Sequence, residues 1–378
     1  MTDLPDTNLT MLTLVKPEGE LEVFFERRPM PEPAPHEVLV RILATPINPS
    51  DLGLLFGAAD MASARASERD GLPVVTADIP APGMRAMAPR VGQALPIGNE
   101  GCGLVVKAGA SPEAQALLGK TVAVLGGEIY AEYRCLPAQM CMELPEGTDP
   151  KDGASCFVNP LTSLAFTETM RMEGHSALVH TAAASNLGQM LVKICAKDDI
   201  PLVNIVRSEA QAELLKAIGA THVVNSSDED FLDRLTAALV ETGATCGFDA
   251  IGGGKLAGQI LACMEAAAVR RMTSYSRYGS DTFKQVYIYG ALDVGPTVLN
   301  RSFGFSWSLS GFLLTPFLQK AGADVVGRMR ARVVDELTTT FKSHYSHEIS
   351  LTDALSLDTI ANYNAKRTGE KYLIRPNG

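Results

Sequence analysis

The sequence predicts an α/β protein with two parts, a strand-rich first half and a doubly wound parallel sheet, on three observations. The chain has 378 residues, enough for two domains at roughly 100–200 residues each. Residues 1 to about 157 are broken by Pro and Gly into short apolar runs such as Glu37–Leu43, Leu104–Lys107 and Thr121–Leu125, the signature of strands bounded by turns. After Pro160 the pattern changes to apolar runs alternating with helical segments.

In that second stretch Ala177–His180 reads as a strand, Leu187–Ala196 a helix, Leu202–Val206 a strand, Glu209–Ile218 a helix and Val223–Asn225 a strand. Phe231–Glu241 follows as a helix, Phe248–Ile251 as a strand, Lys255–Ala266 as a helix and Val286–Tyr289 as a strand. Such alternation argues for parallel strands with helices on both faces. From about Phe317 the pattern turns helical, and Lys371–Arg375 ends the chain as a strand expected to return to the first domain. Ala58–Pro96, rich in Ala, Arg, Pro and Met, reads as a long loop or a partly helical insertion.

With 46% hydrophobic and 20% charged residues the chain is an ordinary globular one. Its net charge of −10 gives no bulk attraction to nucleic acid or anionic lipid, which favours small-molecule partners. Seven scattered cysteines, odd in number and never spaced C-x-x-C, indicate reduced thiols, not a disulfide framework or a structural zinc lobe. The opening segment lacks a basic start followed by an apolar core, and no stretch approaches the roughly 18 apolar residues of a membrane span. The expectation is a cytoplasmic protein without a membrane partner.

Ala177–Lys193, ALVHTAAASNLGQMLVK, has the strand, small-residue turn and helix on which a dinucleotide pyrophosphate sits. Ala184, Ser185, Asn186, Leu187 and Gly188 are the candidate contacts, although only Gly188 survives of a full G-x-G-x-x-G. A ligand-free turn capped by Ser185 or Asn186 is the structural alternative. Nineteen residues after Gly188, where NAD enzymes place an acid for the ribose 2′-hydroxyl, stands Arg207, followed by Ser208. A guanidinium there suits a 2′-phosphate and favours NADPH over NADH; a solvated arginine opening the next helix is the alternative.

Several segments, in this order, resemble the medium-chain dehydrogenase/reductase superfamily, specifically its zinc-free quinone oxidoreductases and 2-enoyl thioester reductases: TPINPSDL (Thr45–Leu52), PIGNEGCGLV (Pro96–Val105), GGEIYAEY (Gly126–Tyr133), VNPLTSLAF (Val158–Phe166), HTAAASNLGQ (His180–Gln189), LKAIGATHVVN (Leu215–Asn225), GFDAIGG (Gly247–Gly253) and TGEKYLIRP (Thr368–Pro376). They cover nearly the whole chain. The resemblance implies a GroES-like β-rich catalytic domain from residues 1–157 and 318–378, and a Rossmann NADPH-binding domain over 158–317. It implies catalytic roles near nicotinamide and substrate for Asn48 and Thr162, cofactor contacts at Asn225, Gly252, Tyr289 and Gly290, and a homodimer through edge strands near Ser306–Gly311.

Two departures shape the expected chemistry. Where other branches hold catalytic zinc, the corresponding places here look like Ser50 and Asn99, neither a usual zinc ligand. No metal is therefore expected, and His344 and His347, though spaced i, i+3, read as surface or packing residues. Where thioester reductases carry a tyrosine about a dozen residues after the INPSD-like start, this chain has Phe56, Gly57, Ala58 and Ala59, leaving Tyr130, Asp51 or water as proton donor. The expected function is an NADPH-dependent reductase passing hydride to a quinone or an α,β-unsaturated carbonyl. A catalytically silent NADPH-binding sensor is the alternative, and the turn at Ser185 lacks the G-x-S-x-G elbow of an α/β hydrolase.

Overall fold

The computed structural model describes residues 4–377. They form two compact units, one built from the chain up to Val158 and again from Val334 onward, the other from Asn159–Val333.

The first unit contains two sheets. In the larger, Cys141–Glu143, Thr121–Leu125, Glu100–Ala108, Glu37–Pro46, Tyr372–Arg375 and His347–Ser350 lie side by side in that order, and Tyr133–Pro137 also pairs with Glu37–Pro46. The C-terminal strand thus docks antiparallel on an early one, with Ile374 opposite Thr45. Val38, Val40, Ile42, Val105, Val122 and Val124 pack between strands as its β-branched core. The smaller sheet runs Asp60–Arg69, Leu72–Asp78, Glu20–Pro29, Thr7–Val15, Ala94–Pro96.

That order corrects the reading of Ala58–Pro96 as a loop or partly helical insertion, because its first half is a β-hairpin. Asp70 (φ 52°) and Gly71 (φ 74°) both take left-handed backbone, and Arg69 pairs with Leu72 across this two-residue turn. The outer strand buries almost nothing and is held by charge: Arg65 bridges Asp78 at 2.8 Å and Arg69 bridges the buried Glu22 at 2.7 Å. Helix Ala81–Ala86 and a short turn of 3₁₀ helix complete the segment.

The second unit is a six-stranded parallel sheet in the order His222–Asn225, Leu202–Val206, Leu178–His180, Cys246–Asp249, Lys284–Ile288, Trp307–Gly311. The third, second and first strands in the chain precede the fourth, fifth and sixth, so the order reverses beside Leu178–His180, the switch point where doubly wound sheets bind ligands. Val179, Val203, Ile205, Leu235, Ile260 and Val286 pack between sheet and helices on one face. Residue 318 was the expected point of return to the first unit. Instead Leu314–Ala321 and most of Ala323–Asp335 stay with the sheet unit, where Arg332 makes two 2.8 Å bonds to Asp198.

Replacing Gly71, which has open space around a would-be side chain but a left-handed φ, isolates backbone strain from packing. Gly71→Ala is expected to cost about 1–2 kcal/mol, read from the urea unfolding midpoint; an unchanged midpoint would show that the hairpin turn is not so constrained.

Candidate active site

The strand-to-helix turn in the second unit is built on contacts that leave no room for side chains. A Cβ on Gly188 would lie 2.1 Å from the Ala183 carbonyl oxygen, so the surviving glycine is the one that lets helix Asn186–Lys197 approach its own turn. Ser185 caps that helix, its Oγ accepting from the Gly188 amide at 3.1 Å. Ala182 holds φ 49°, a left-handed position glycine would take freely. The Ala183 N–H donates to Ile205 C=O at 3.2 Å and ties the turn to the second strand. Ala183 and Ala184 are buried, Leu187 is 8% exposed, and Asn186 is half-buried at the helix start.

Arg207 directly follows strand Leu202–Val206 and is exposed; its backbone N–H donates to Gln211 Oε1 and its carbonyl accepts from Ser227 Oγ, while its guanidinium has no partner among the described residues. Ser208 caps helix Glu209–Ala217 by accepting from the Gln211 amide. Asn225 ends the third strand closing a turn of its own: Nδ2 donates to Asp228 at 2.8 Å and its oxygen accepts from the Ser227 amide. Gly252 (φ 81°) and Gly290 lie where a Cβ would come within 2.8 Å of the Gly290 carbonyl and 2.6 Å of the Ala250 carbonyl, respectively. The Tyr289 hydroxyl lies 2.7 Å from His180 Nε2; burial pushes His180 down to about 3, so this ring is neutral.

Residue-by-residue reading missed the clasp at this switch point. Asp249, fully buried, accepts from Thr181 Oγ1 at 2.6 Å and from the Ile251 and Gly252 amides, and Thr181 Oγ1 accepts from the Ala250 amide. It joins the ends of the first and fourth strands, and the available signal was a lone acid at the end of an apolar strand in GFDAIGG. Thr162 is buried near the start of helix Val158–Met172. Trp307 packs edge-on against Phe303 at 4.7 Å in the core of this unit.

In the first unit Asn48 belongs to a buried polar cluster. Its Nδ2 donates to Glu100 Oε1 at 2.8 Å and its backbone N–H to Asp51 Oδ2 at 2.8 Å. Glu100 Oε2 accepts from the Phe157 and Val158 amides, both at 2.9 Å, and Asp51 Oδ1 accepts from the Asn99 amide at 2.9 Å. Lys371 donates to Ser155 Oγ at 2.8 Å, which also bonds the Tyr345 hydroxyl. Burial pushes Asp51 up to about 7 against the pull of the Asn48 amide, with Glu100 adding repulsion. Burial raises Glu100 too, opposed first by the Lys371 charge, and lowers Lys371 to about 8. Glu100 and Lys371 escaped the sequence reading because they lie far apart in the chain.

Asp51 and Tyr130, the two side chains considered as proton donors, are both buried, and the Tyr130 hydroxyl donates to Pro46 C=O at 3.1 Å. Phe56 stacks on Tyr363 in the core. Ser50 and Asn99 do meet, through a 3.1 Å bond from Asn99 Nδ2 to Ser50 Oγ. His347 stacks on Tyr372. No group of three or more His, Cys, Asp or Glu suited to a metal occurs among the described residues, and no helix among them is long and apolar enough to cross a membrane.

Two measurements test this geometry. Gly188→Ala should lower unfolding free energy by about 1–3 kcal/mol, because the carbonyl it meets is backbone and cannot swing away; wild-type stability in urea would refute the close contact. Carboxyl-carbon NMR should find Asp51 titrating near 7, against about 4 in the unfolded chain. The native state therefore binds this proton more tightly, and Asp51 withdraws stability as pH rises from about 4 to 7; a native midpoint near the unfolded value would contradict the burial argument.

Comparison with known proteins follows the same lines. Residues 187–285 match the family model described as zinc-binding dehydrogenase. A Leishmania amazonensis protein named as a quinone oxidoreductase is 27% identical over 241 residues, 64% of this chain and 67% of that one. Prostaglandin reductase-3 of Mus musculus is 26% identical over 293 residues, 77% of this chain and 68% of that one. Among solved structures, a Mesorhizobium loti protein assigned as an NADPH:quinone reductase superposes with a TM-score of 0.74 at 25% identity, covering 99% of this chain and 100% of that one. An enoyl thioester reductase variant from Candida tropicalis shares the fold at TM-score 0.65 and 17% identity, over 98% and 99% of the two chains. In its doubly wound unit with a tightened turn, its β-rich unit closed by the C-terminal strand, and these likenesses, the chain is similar to proteins of the medium-chain dehydrogenase/reductase superfamily.

Proposed function

We propose that the protein is a zinc-independent, NADPH-dependent oxidoreductase that reduces a quinone or an α,β-unsaturated carbonyl compound. The observation that carries this reading is the free, exposed Arg207 guanidinium just beyond the second strand, on the strand to which Ala183 ties the glycine-tightened turn. The turn supports a pyrophosphate because it combines a helix start with small residues. Arg207 supports the 2′-phosphate through charge-assisted bonds, and the Ser208 hydroxyl, while capping its helix, keeps a proton to donate.

When bound, the nicotinamide supplies the hydride. The protein's part is to orient and to exclude water. Gly252 and Gly290, kept free of side chains by neighbouring carbonyls, support close backbone approach to the ring, with Tyr289 bonded to His180. Asn48 and Thr162 are the polar side chains that the family resemblance assigns to the reacting end. Zinc independence rests on the Ser50–Asn99 pair, a hydroxyl and an amide where other branches supply metal ligands. Tyr130 and Asp51 are turned inward, so the proton reaching the reduced substrate comes from solvent, which suits a quinone, whose reduced oxyanion is readily protonated. Trp307–Gly311, last in its sheet and unpaired on one side, supports a homodimer formed by edge pairing.

Incubating the protein with NADPH and a panel of quinones and enones should give substrate-dependent loss of nicotinamide absorbance. NADPH binding without any turnover would favour a silent nucleotide sensor. Arg207→Ala should weaken NADPH binding by about 1.5–3 kcal/mol while hardly changing NADH; equal losses for both would sink the 2′-phosphate assignment.

A further inference from the structure

Asn48 is 2% exposed, yet its Oδ1 has no hydrogen-bond partner among the described residues. Buried acceptors are seldom left unpaired, since their desolvation is uncompensated. The neighbouring Glu100 explains why this one is turned away from the carboxylate. The Phe157 and Val158 amides both donate to Glu100 Oε2, so that limb of the carboxylate must accept. The other limb accepts as well, Oε1 taking its hydrogen bond from residue 48. Only the NH₂ limb of Asn48 can face it, at 2.8 Å, and the planar amide then turns its oxygen away from Glu100.

We propose that Glu100 is a positioning residue that fixes the polarity of Asn48, so that this side of the site offers a hydrogen-bond acceptor and takes a ligand group carrying an O–H or N–H. The inference rests on the reductase reading and deepens it. Asn48 Oδ1 does not receive the carbonyl oxygen of an oxidised quinone or enone, because two acceptors repel. Its partner is a donor, and the two sources on such a reaction path are the carboxamide of the nicotinamide and the hydroxyl of a reduced substrate.

The same geometry predicts how to invert the site. In Glu100→Gln the Phe157 and Val158 amides still require an oxygen, so the Gln amide group must face residue 48 and donate. Asn48 then turns over to accept from it and presents NH₂ to the ligand. Adding Asn48→Asp to Glu100→Gln restores an outward acceptor.

Binding is measured by calorimetry with two matched pairs. One is NADP⁺ against its 3-acetylpyridine analogue, which replaces the carboxamide NH₂ by methyl. The other is 1,4-hydroquinone against 1,4-dimethoxybenzene, on NADP⁺-loaded protein. Wild type should prefer the donor member of one pair by about tenfold or more, and that pair names the source. Glu100→Gln should abolish or reverse the preference, and the double variant should recover it. If thermal melting shows Glu100→Gln unfolded, Asn48→Ala carries the test, since it deletes the acceptor and leaves Glu100 its two backbone amides; the preference should vanish. Equal binding within both pairs by wild type overturns the proposal, as does a preference that survives Glu100→Gln or Asn48→Ala. Failure of both nucleotides to bind would overturn the reductase reading and this inference with it, and so is distinguishable from equal binding, which overturns the polarity alone.

Discussion

Helix Asn186–Lys197 can begin where it does only because Gly188 carries no side chain, and the rest of the turn depends on that contact. With the Ala183 carbonyl 2.1 Å from where a Cβ would stand, any other residue would push the helix off the strand end. The amides at the helix start would then lose their common direction. The remaining parts of the turn are arranged around this approach: Ser185 caps, Ala182 accepts a left-handed φ, and Ala183 bonds to the second strand. The Asp249–Thr181 clasp joins the fourth strand to the first on the other side. A turn of three alanines and a serine thus keeps the one glycine that meets a backbone carbonyl, while Ala182 bears a modest conformational cost.

The first unit relies on a different constraint, the burial of titratable groups. Asp51 and Glu100 are buried and Lys371 is half-buried, and each is held by directed partners: backbone amides for the two carboxyl groups and Ser155 for the lysine. Buried charges persist only when so paired. What this arrangement yields is a fixed orientation of Asn48. Asn48 is gripped through both its backbone N–H and its side-chain amide, one by each carboxylate.

Local signals in the sequence reach some of this and not the rest. Leu202–Val206 and Thr121–Leu125 are strands to the residue, because a short β-branched run between turn residues has few other ways to fold. The helices starting at Glu209 and Phe231 were legible from the alternation of apolar runs and helical segments. The hairpin at residues 60–78 was not, because its outer strand, DMASARASER, carries Ala, Ser and Arg where strand formers are expected and owes its place to ion pairs with Glu22 and Asp78. The Asp70–Gly71 pair was the overlooked signal. The Asp51–Glu100–Lys371 cluster had none, since its members come from opposite ends of the chain and nothing local marks any of them as buried. The place of Arg207 just after the second strand, in contrast, was readable by counting from Gly188, because that distance is set by one helix and one strand.

The central claim is that the Ala182–Gly188 turn and the Arg207–Ser208 corner together hold NADPH. Hydrogen exchange of the backbone amides, with and without saturating NADPH, tests it most directly. The account predicts slowed exchange in peptides spanning Ala183–Gly188 and Val206–Gln211, with weaker protection at the second of these when NADH replaces NADPH. Exchange unchanged at both segments, or protection found only outside the parallel-sheet unit, would contradict it.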